Sequence, residues 1–227
     1  MKQTRERIVR RRMTKGIVVP AAFVFAAIVS TGAARAEDTS AVSASAVQAK
    51  MKYCEVCHGA DGRGFVGYYP IPRLAGQQVE YIQNELQGFI EHKRANKASP
   101  ASTNIMFGVG HALSPAMIEA LATKFHELNP PPVGGAPEAN AAAGKKIYNE
   151  GIAATNVPPC AGCHGAAAEG NGEFPRLAGQ LYPYVVKQLT NWSKERAEKN
   201  AAIMTPIAHQ LTAPQIEEVA AYVSTLK

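Results

Sequence analysis

Cys54-Glu55-Val56-Cys57-His58 returns as Cys160-Ala161-Gly162-Cys163-His164, and these two stretches hold all four cysteines of the 227-residue chain. Cys-x-x-Cys-His is the attachment pattern of a c-type haem. The two thiols add to the haem vinyl groups as thioethers, and the histidine that follows is placed against the iron as an axial ligand. Each motif continues into Gly-Ala, at Gly59-Ala60 and Gly165-Ala166. Two copies that use every cysteine predict two covalent haems. Other uses of cysteine fit less well. A disulfide across a two-residue gap is strained and redox-active, and no thioredoxin-like βαβ pattern surrounds these pairs. A zinc site made from both pairs leaves His58 and His164 without a role.

Working outward from the motifs, the rest of the chain also repeats. Ala49 to Tyr53 and Gly144 to Tyr148 read as the last turns of amphipathic helices, each with an aromatic on the buried face. Eleven residues, Asn149 to Pro159, separate Tyr148 from Cys160, whereas Tyr53 abuts Cys54. Gly-rich loops follow, Ala60 to Gly64 in one copy and Ala168 to Gly172 in the other. Then Pro72-Arg73-Leu74-Ala75-Gly76-Gln77 is matched residue for residue by Pro175-Arg176-Leu177-Ala178-Gly179-Gln180, which marks an internal duplication.

A helix is predicted after each hexapeptide, with Tyr81/Tyr184, Leu86/Leu189 and Phe89/Trp192 at matching positions. The leucines belong to a core stripe; the tyrosines are candidates to reach a haem propionate with their polar tips. Ser114 and Thr212 read as N-caps of closing helices, with Pro115 and Pro214 in the first turn. Those helices carry stripes at i, i+3, i+4 and i+7: Ile118, Leu121, Ala122 and Phe125, then Ile216, Val219, Ala220 and Val223. Residues 129–137, Asn-Pro-Pro-Pro-Val-Gly-Gly-Ala-Pro, can be neither helical nor well packed. No strand signal competes. The prediction is an all-α protein of two tandem units, each a few helices wrapped around one haem: residues 37–129, a linker at 130–139, and residues 140–227.

The second axial ligand decides what such an iron can do. A thioether stabilises ferrous iron and suits electron transfer at positive potential. Met106 and Met204 recur at matching offsets, each seven residues before a Leu-Ser or Leu-Thr pair. His111 and His209 also recur, each five residues further on, and are the rival ligands. His92 and His126 have no counterparts and are expected to be solvated. Arg73 and Arg176 are candidates to neutralise propionates. Pro72 and Pro175 each offer a carbonyl that could accept the histidine Nδ1–H and fix its tautomer.

Charge excludes a nucleic-acid role. Of 24 Lys/Arg and 18 Asp/Glu, eight and one respectively fall in residues 1–36. The remaining 16 basic and 17 acidic residues give the rest of the chain about −1. That first segment reads as a secretory signal: a basic stretch from Lys2 to Lys15, an apolar run, and Ala34-Arg35-Ala36 as a cleavage site before Glu37. Gly16 to Ala34 is an uncharged run of 19 residues, so a retained membrane anchor is the alternative. The expected address is the periplasm.

With these residues in hand, the stretch 45–227 resembles the di-haem class I cytochromes of the cytochrome c₄ type. The resemblance rests on the two Cys-x-x-Cys-His-Gly-Ala motifs, the two hexapeptides, the Tyr81 and Tyr184 helices and the two methionines. It implies tandem class I cytochrome c domains facing each other through their propionate edges. It implies His58 and Met106 on one iron, His164 and Met204 on the other, with Pro72 and Pro175 bonded to the histidines. It implies a periplasmic electron carrier whose partners are redox proteins such as a reductase and a terminal oxidase, with no catalytic residues. The alternatives are a di-haem enzyme (a peroxidase or a thiosulfate dehydrogenase) and a membrane-anchored subunit of an oxidase complex. Gln77 to Met106 spans 29 residues against 24 for Gln180 to Met204, so the distal side of the first site departs from the second.

Overall fold

Helix α1, Ala44–His58, runs straight through the first cysteine motif and ends on its histidine. The computed structural model describes residues 42–94, 100–196 and 201–227. The signal or anchor expected in 1–36 lies outside them, as do residues 95–99 of the lengthened stretch before Met106. The described residues belong to one compact unit, Thr39–Lys227. Regular structure is helical throughout, with only isolated β-bridges among the described residues. No single described helix is long and apolar enough to cross a membrane.

The first half continues with α2 (Val79–Ile90), α3 (Pro100–His111) and α4 (Pro115–His126). The second has α5 (Glu138–Glu150), a short α6 (Ala161–His164), α7 (Tyr182–Glu195), α8 (Ala201–Gln210) and α9 (Ala213–Thr225). Ser114 caps α4 by accepting from the Met117 N–H at 3.2 Å, and Gln215 Oε1 accepts from the Thr212 N–H at the start of α9. All eight residues of the two closing-helix stripes are buried, as their spacing requires. Each half has its own apolar core, built on α1, α2 and α4 in one and on α5, α7 and α9 in the other. Burying one such side chain contributes about 1.5–3 kcal/mol.

The helices leading to the motifs are not equivalent. Tyr148 is fully buried and donates to the Gly165 carbonyl at 2.6 Å. Tyr53 is 60% exposed, contrary to expectation. The reason is register. Because α1 does not break before Cys54, its inward face is set by Val47, Met51 and Cys54 at i, i+4 and i+7, and Tyr53 lies about 200° around the helix from Met51. In the second half α5 ends at Glu150, and a loop with a 3₁₀ turn at Ala153–Thr155 restarts the chain before the motif.

Residues 130–137 of the linker are non-helical and mostly exposed, as expected, yet the linker is fastened at its start. The Pro130 and Pro131 carbonyls accept from the buried Arg73 guanidinium at 2.7 and 3.4 Å. Polyproline backbone cannot satisfy its own carbonyls, so a five-donor side chain can fasten it.

Helices α5 and α9 cross where Gly144 stands; a Cβ there would overlap the Glu218 carbonyl. Gly144→Ala is therefore expected to destabilise the second half by about 1–3 kcal/mol through overpacking. Thermal unfolding of the purified holoprotein checks this: an unchanged midpoint would mean that the crossing is looser than described.

Candidate functional site

Each motif presents one half-buried cysteine, Cys54 or Cys160, and one exposed cysteine, Cys57 or Cys163, and none of the four is in a disulfide. Burial pushes the Cys54 thiol up and the Cys160 thiol up to about 11. His58 and His164 are buried. A glycine follows each at positive φ, Gly59 at 78° and Gly165 at 83°. A Cβ at Gly59 would overlap the Gly64 carbonyl. That reversal lets the Gly64 N–H donate to the His58 carbonyl at 2.7 Å, and Gly170 to His164 at 2.8 Å. These bonds equate Gly64 with Gly170, not with Gly172 as the Gly-rich sequences suggest. Seven residues then separate Gly64 from Pro72, against four between Gly170 and Pro175. The longer loop closes through a Phe65–Ile71 bridge and carries Tyr68 outward, 92% exposed.

The returning chain is pinned next. The Leu74 and Ala75 N–H groups donate to the Gly62 carbonyl, and Leu177 and Ala178 to the Ala168 carbonyl, at 2.8–3.0 Å. This lands the Pro72 carbonyl on His58 Nδ1 and the Pro175 carbonyl on His164 Nδ1, both at 2.9 Å. A carbonyl only accepts, so Nδ1 carries the proton and Nε2 keeps a free lone pair. Burial holds both imidazoles below their ordinary pKa, only partly offset by the proline carbonyls. Neutral imidazole with an oriented Nε2 is the form that ligates a metal.

Met106 on α3 and Met204 on α8 are half-buried. The rival His111 and His209 are exposed. Five residues along a helix is about 140° around its axis, so each histidine projects away from its methionine. His209 Nε2 meets Ser193 Oγ at 2.9 Å, and the His111 ring lies 5.6 Å from that of His92. His126 is exposed but not merely solvated, since its Nδ1 meets the Gln77 carbonyl at 2.9 Å.

The hexapeptides meet each other. Gln180 Oε1 accepts from the Arg73 N–H at 2.8 Å, and its Nε2 donates to the Arg73 carbonyl at 3.0 Å. Reciprocally, Gln77 Oε1 accepts from the Arg176 N–H at 2.7 Å, and its Nε2 donates to the Arg176 carbonyl at 3.0 Å. Beside this clasp lies a buried ring of side chains. Glu85 pairs with Arg94 Nε at 3.2 Å and with Arg196 Nη1. Gln188 Oε1 accepts from Arg94 Nη2 at 2.8 Å and from Arg196 Nη2 at 2.9 Å. Arg94 lies over the Phe89 ring and Arg196 over Trp192.

Three of the residues expected near the haems, Arg73, Tyr81 and Tyr184, have partners within the chain. Arg73 Nε and both Nη groups donate to the Ala75, Pro131 and Pro130 carbonyls. Burial and the nearby Arg176 and Arg63 cations lower it to about 10. The Tyr81 hydroxyl accepts from Arg196 and the Tyr184 hydroxyl from Arg94. The Arg73 fork is thus taken up by backbone carbonyls, and the two hydroxyls serve the ring arginines as acceptors. Arg176 differs: its Nε is buried without a partner, which fits an anion the described residues do not supply. Gln77, Gln180, Glu85, Arg94, Gln188 and Arg196 were not singled out from the sequence. A signal existed for the glutamines, because they close a hexapeptide more strictly repeated than a histidine-holding proline alone would need.

The Cytochrome c family model matches residues 44–123 and 141–227. Cytochrome c-552 of Acidithiobacillus ferridurans is 41% identical over 175 residues, covering 76% of this chain and 73% of that protein. The thiosulfate dehydrogenase electron acceptor of Thiomonas intermedia (strain K12) is 34% identical, covering 75% and 77%. The solved structure of Acidithiobacillus ferrooxidans cytochrome c4 superposes with a TM-score of 0.67 at 40% identity, covering 77% of this chain and 99% of that one. Two such domains, with pairs Cys54/Cys57 and Cys160/Cys163, carry two covalent haems. The free Nε2 of each motif histidine, the accessible thiols and the unpartnered Arg176 Nε fit that group.

Glu85 is the carboxylate that bridges both ring arginines. Burial alone would raise its pKa, but Arg196 and Arg94 outweigh it and hold the carboxyl below its ordinary 4.5. Its ion pairs thus contribute fully above pH 4.5 and are lost as pH falls through the folded-state value. Glu85→Gln is expected to lower unfolding stability by about 2–5 kcal/mol at pH 7 and to flatten the acid limb of the stability profile. Chemical denaturation across pH checks this; an acid limb as steep as the parent's would remove Glu85 from this role.

Proposed function

This chain belongs to the cytochrome c family as a di-haem electron carrier of the cytochrome c4 type, and from that premise we propose that it is a periplasmic shuttle between respiratory redox proteins. Its donor would be a reductase or another oxidising enzyme, and its acceptor a terminal oxidase. The observation that carries this reading is the duplication of one complete ligand set. Each half pairs a buried, carbonyl-oriented histidine with a methionine at the same offset before its closing helix.

In this reading His58 and Met106 ligate one iron and His164 and Met204 the other. When bound, haem supplies one-electron chemistry; the chain supplies ligands, burial and an edge for partners. Six-coordinate irons leave no position for substrate, which argues against a peroxidase or thiosulfate dehydrogenase and for a carrier. The relatives named as electron acceptors of thiosulfate dehydrogenase support a donor of that kind. Arg176 is the side chain best suited to a propionate, because its Nε needs an acceptor.

A redox titration followed by optical spectra is expected to give two low-spin transitions at positive potential. Met106→Ala or Met204→Ala should each abolish the weak ferric methionine–iron band of one haem and lower that haem's midpoint, since the thioether favours ferrous iron. A high-spin ferric fraction in the parent protein would instead support an enzyme. For the address, the mass of the exported protein should correspond to a chain beginning at Glu37; a mass retaining residues 1–36 would mean an anchor.

A further inference from the structure

We propose that each half tunes the other half's haem, through the glutamine that ends its hexapeptide. Gln180 sets the strength of the hydrogen bond holding His58, and Gln77 sets that of the bond holding His164.

The peptide group between Pro72 and Arg73 is engaged at both ends. Its carbonyl accepts from His58 Nδ1 at 2.9 Å, and its N–H donates to Gln180 Oε1, from the other half, at 2.8 Å. The group between Pro175 and Arg176 is engaged in the same way, by His164 Nδ1 at 2.9 Å and Gln77 Oε1 at 2.7 Å. A peptide that gives its N–H to a good acceptor becomes more polar, and its oxygen becomes a stronger acceptor in turn. The chain of bonds therefore runs histidine, proline carbonyl, arginine N–H, glutamine, and crosses between the halves at its last step. A stronger acceptor at Nδ1 gives the imidazole more anionic character and makes it a more basic ligand. That favours ferric iron and lowers the potential.

Both glutamines are held firmly enough to exert this effect. Gln77 is 5% exposed and Gln180 7%. Each donates its Nε2 back to the carbonyl of the arginine whose N–H it accepts. Each Oε1 also accepts from the backbone N–H of its own following residue, Gln78 or Leu181. The side chain thus cannot rotate its oxygen away without losing two further bonds. If the glutamines were interface glue alone, other polar pairs would serve as well. What distinguishes this arrangement is that the bonded amide is in both cases the one that holds the axial histidine.

The inference rests on the reading that His58 and His164 ligate the irons. Its test is a crossed pair of variants in the full-length holoprotein. Gln180→Met removes the acceptor from the Arg73 N–H at similar volume. It is expected to raise the midpoint of the first haem by about threefold in its reduction equilibrium, roughly 30 mV for one electron, while the second haem moves less. Gln77→Met is expected to do the reverse. In reduced protein, proton NMR should show the His58 Nδ1–H resonance moving upfield in Gln180→Met, with His164 unmoved. Gln180→Glu, which keeps an oxygen on that N–H and adds charge, should instead lower the first haem more than the second; it carries the test if the methionine variant does not fold. Equal shifts of both haems would indicate general loosening of the interface and overturn the proposal. So would no shift, or a shift confined to the haem of the mutated half. Loss of the low-spin spectra in the unsubstituted protein would instead overturn the ligation reading beneath it.

Discussion

A surface that meets its own duplicate must be self-complementary, and this constraint organises the molecule. In a two-fold contact a residue that donates to its partner's backbone must also find its copy donating back. Gln77 and Gln180 satisfy that rule by each taking one N–H and giving one N–H across the contact. The same rule pairs Arg94 with Arg196, Tyr81 with Tyr184 and Phe89 with Trp192 around one buried ring. It explains why the two hexapeptides are identical while the flanking loops have drifted. A change in one glutamine alone would leave a buried arginine N–H and carbonyl unsatisfied, at a cost of about 1–3 kcal/mol for each group.

Against that shared frame, the departures from symmetry stand out as the places where the two sites can differ. Helix α1 passes into its motif without a break, whereas α5 stops and a loop intervenes. The first half spends three more residues between Gly64 and Pro72 and exposes Tyr68 on them. At the centre of the ring, Glu85 in the first half is matched by Gln188 in the second. Gln188 accepts from both arginines through its Oε1 and donates its Nε2 to the buried Glu195 carboxylate at 3.0 Å, a donation that an ionised glutamate at that position could not make. The amide thus links both arginines to a second buried carboxylate, so the asymmetry at this position has a hydrogen-bonding reason and is not a flaw in the copy.

Much of the site was legible because covalent haem chemistry leaves rigid spacing in the chain. The cysteines, the motif histidines and the prolines that orient them follow from Cys-x-x-Cys-His and the duplicated Pro-Arg-Leu-Ala-Gly-Gln, and the carbonyl–imidazole bonds stand at 2.9 Å in both halves. The closing helices were legible because one face must be buried, and period 3.6 shows which. The contact between halves was not legible. Nothing in the spacing of Glu85 or Arg94 says that their partners lie about a hundred residues away, since long-range polar pairing leaves no local period. Tyr53 misled for a related reason: similarity of sequence to the Tyr148 helix suggested similarity of register, but register is decided by where a helix ends. The Arg73 bonds to the polyproline carbonyls were not legible either: neutral backbone partners 57 and 58 residues away leave no mark in the local sequence.

Why two joined domains should serve electron transfer better than one follows from the same contact. Two separate carriers would meet in many orientations, and only some would bring their irons close. A buried, reciprocally bonded interface removes that orientational search, and a linker fastened by Arg73 to the same hexapeptide gives it little room to return. The bonds that remove the search engage the same peptide groups whose Pro72 and Pro175 carbonyls hold His58 and His164. Domain geometry and ligand strength are therefore not independent properties here. If each glutamine sets the other half's histidine bond as proposed, strain on the contact from one side would alter the histidine bond on the other.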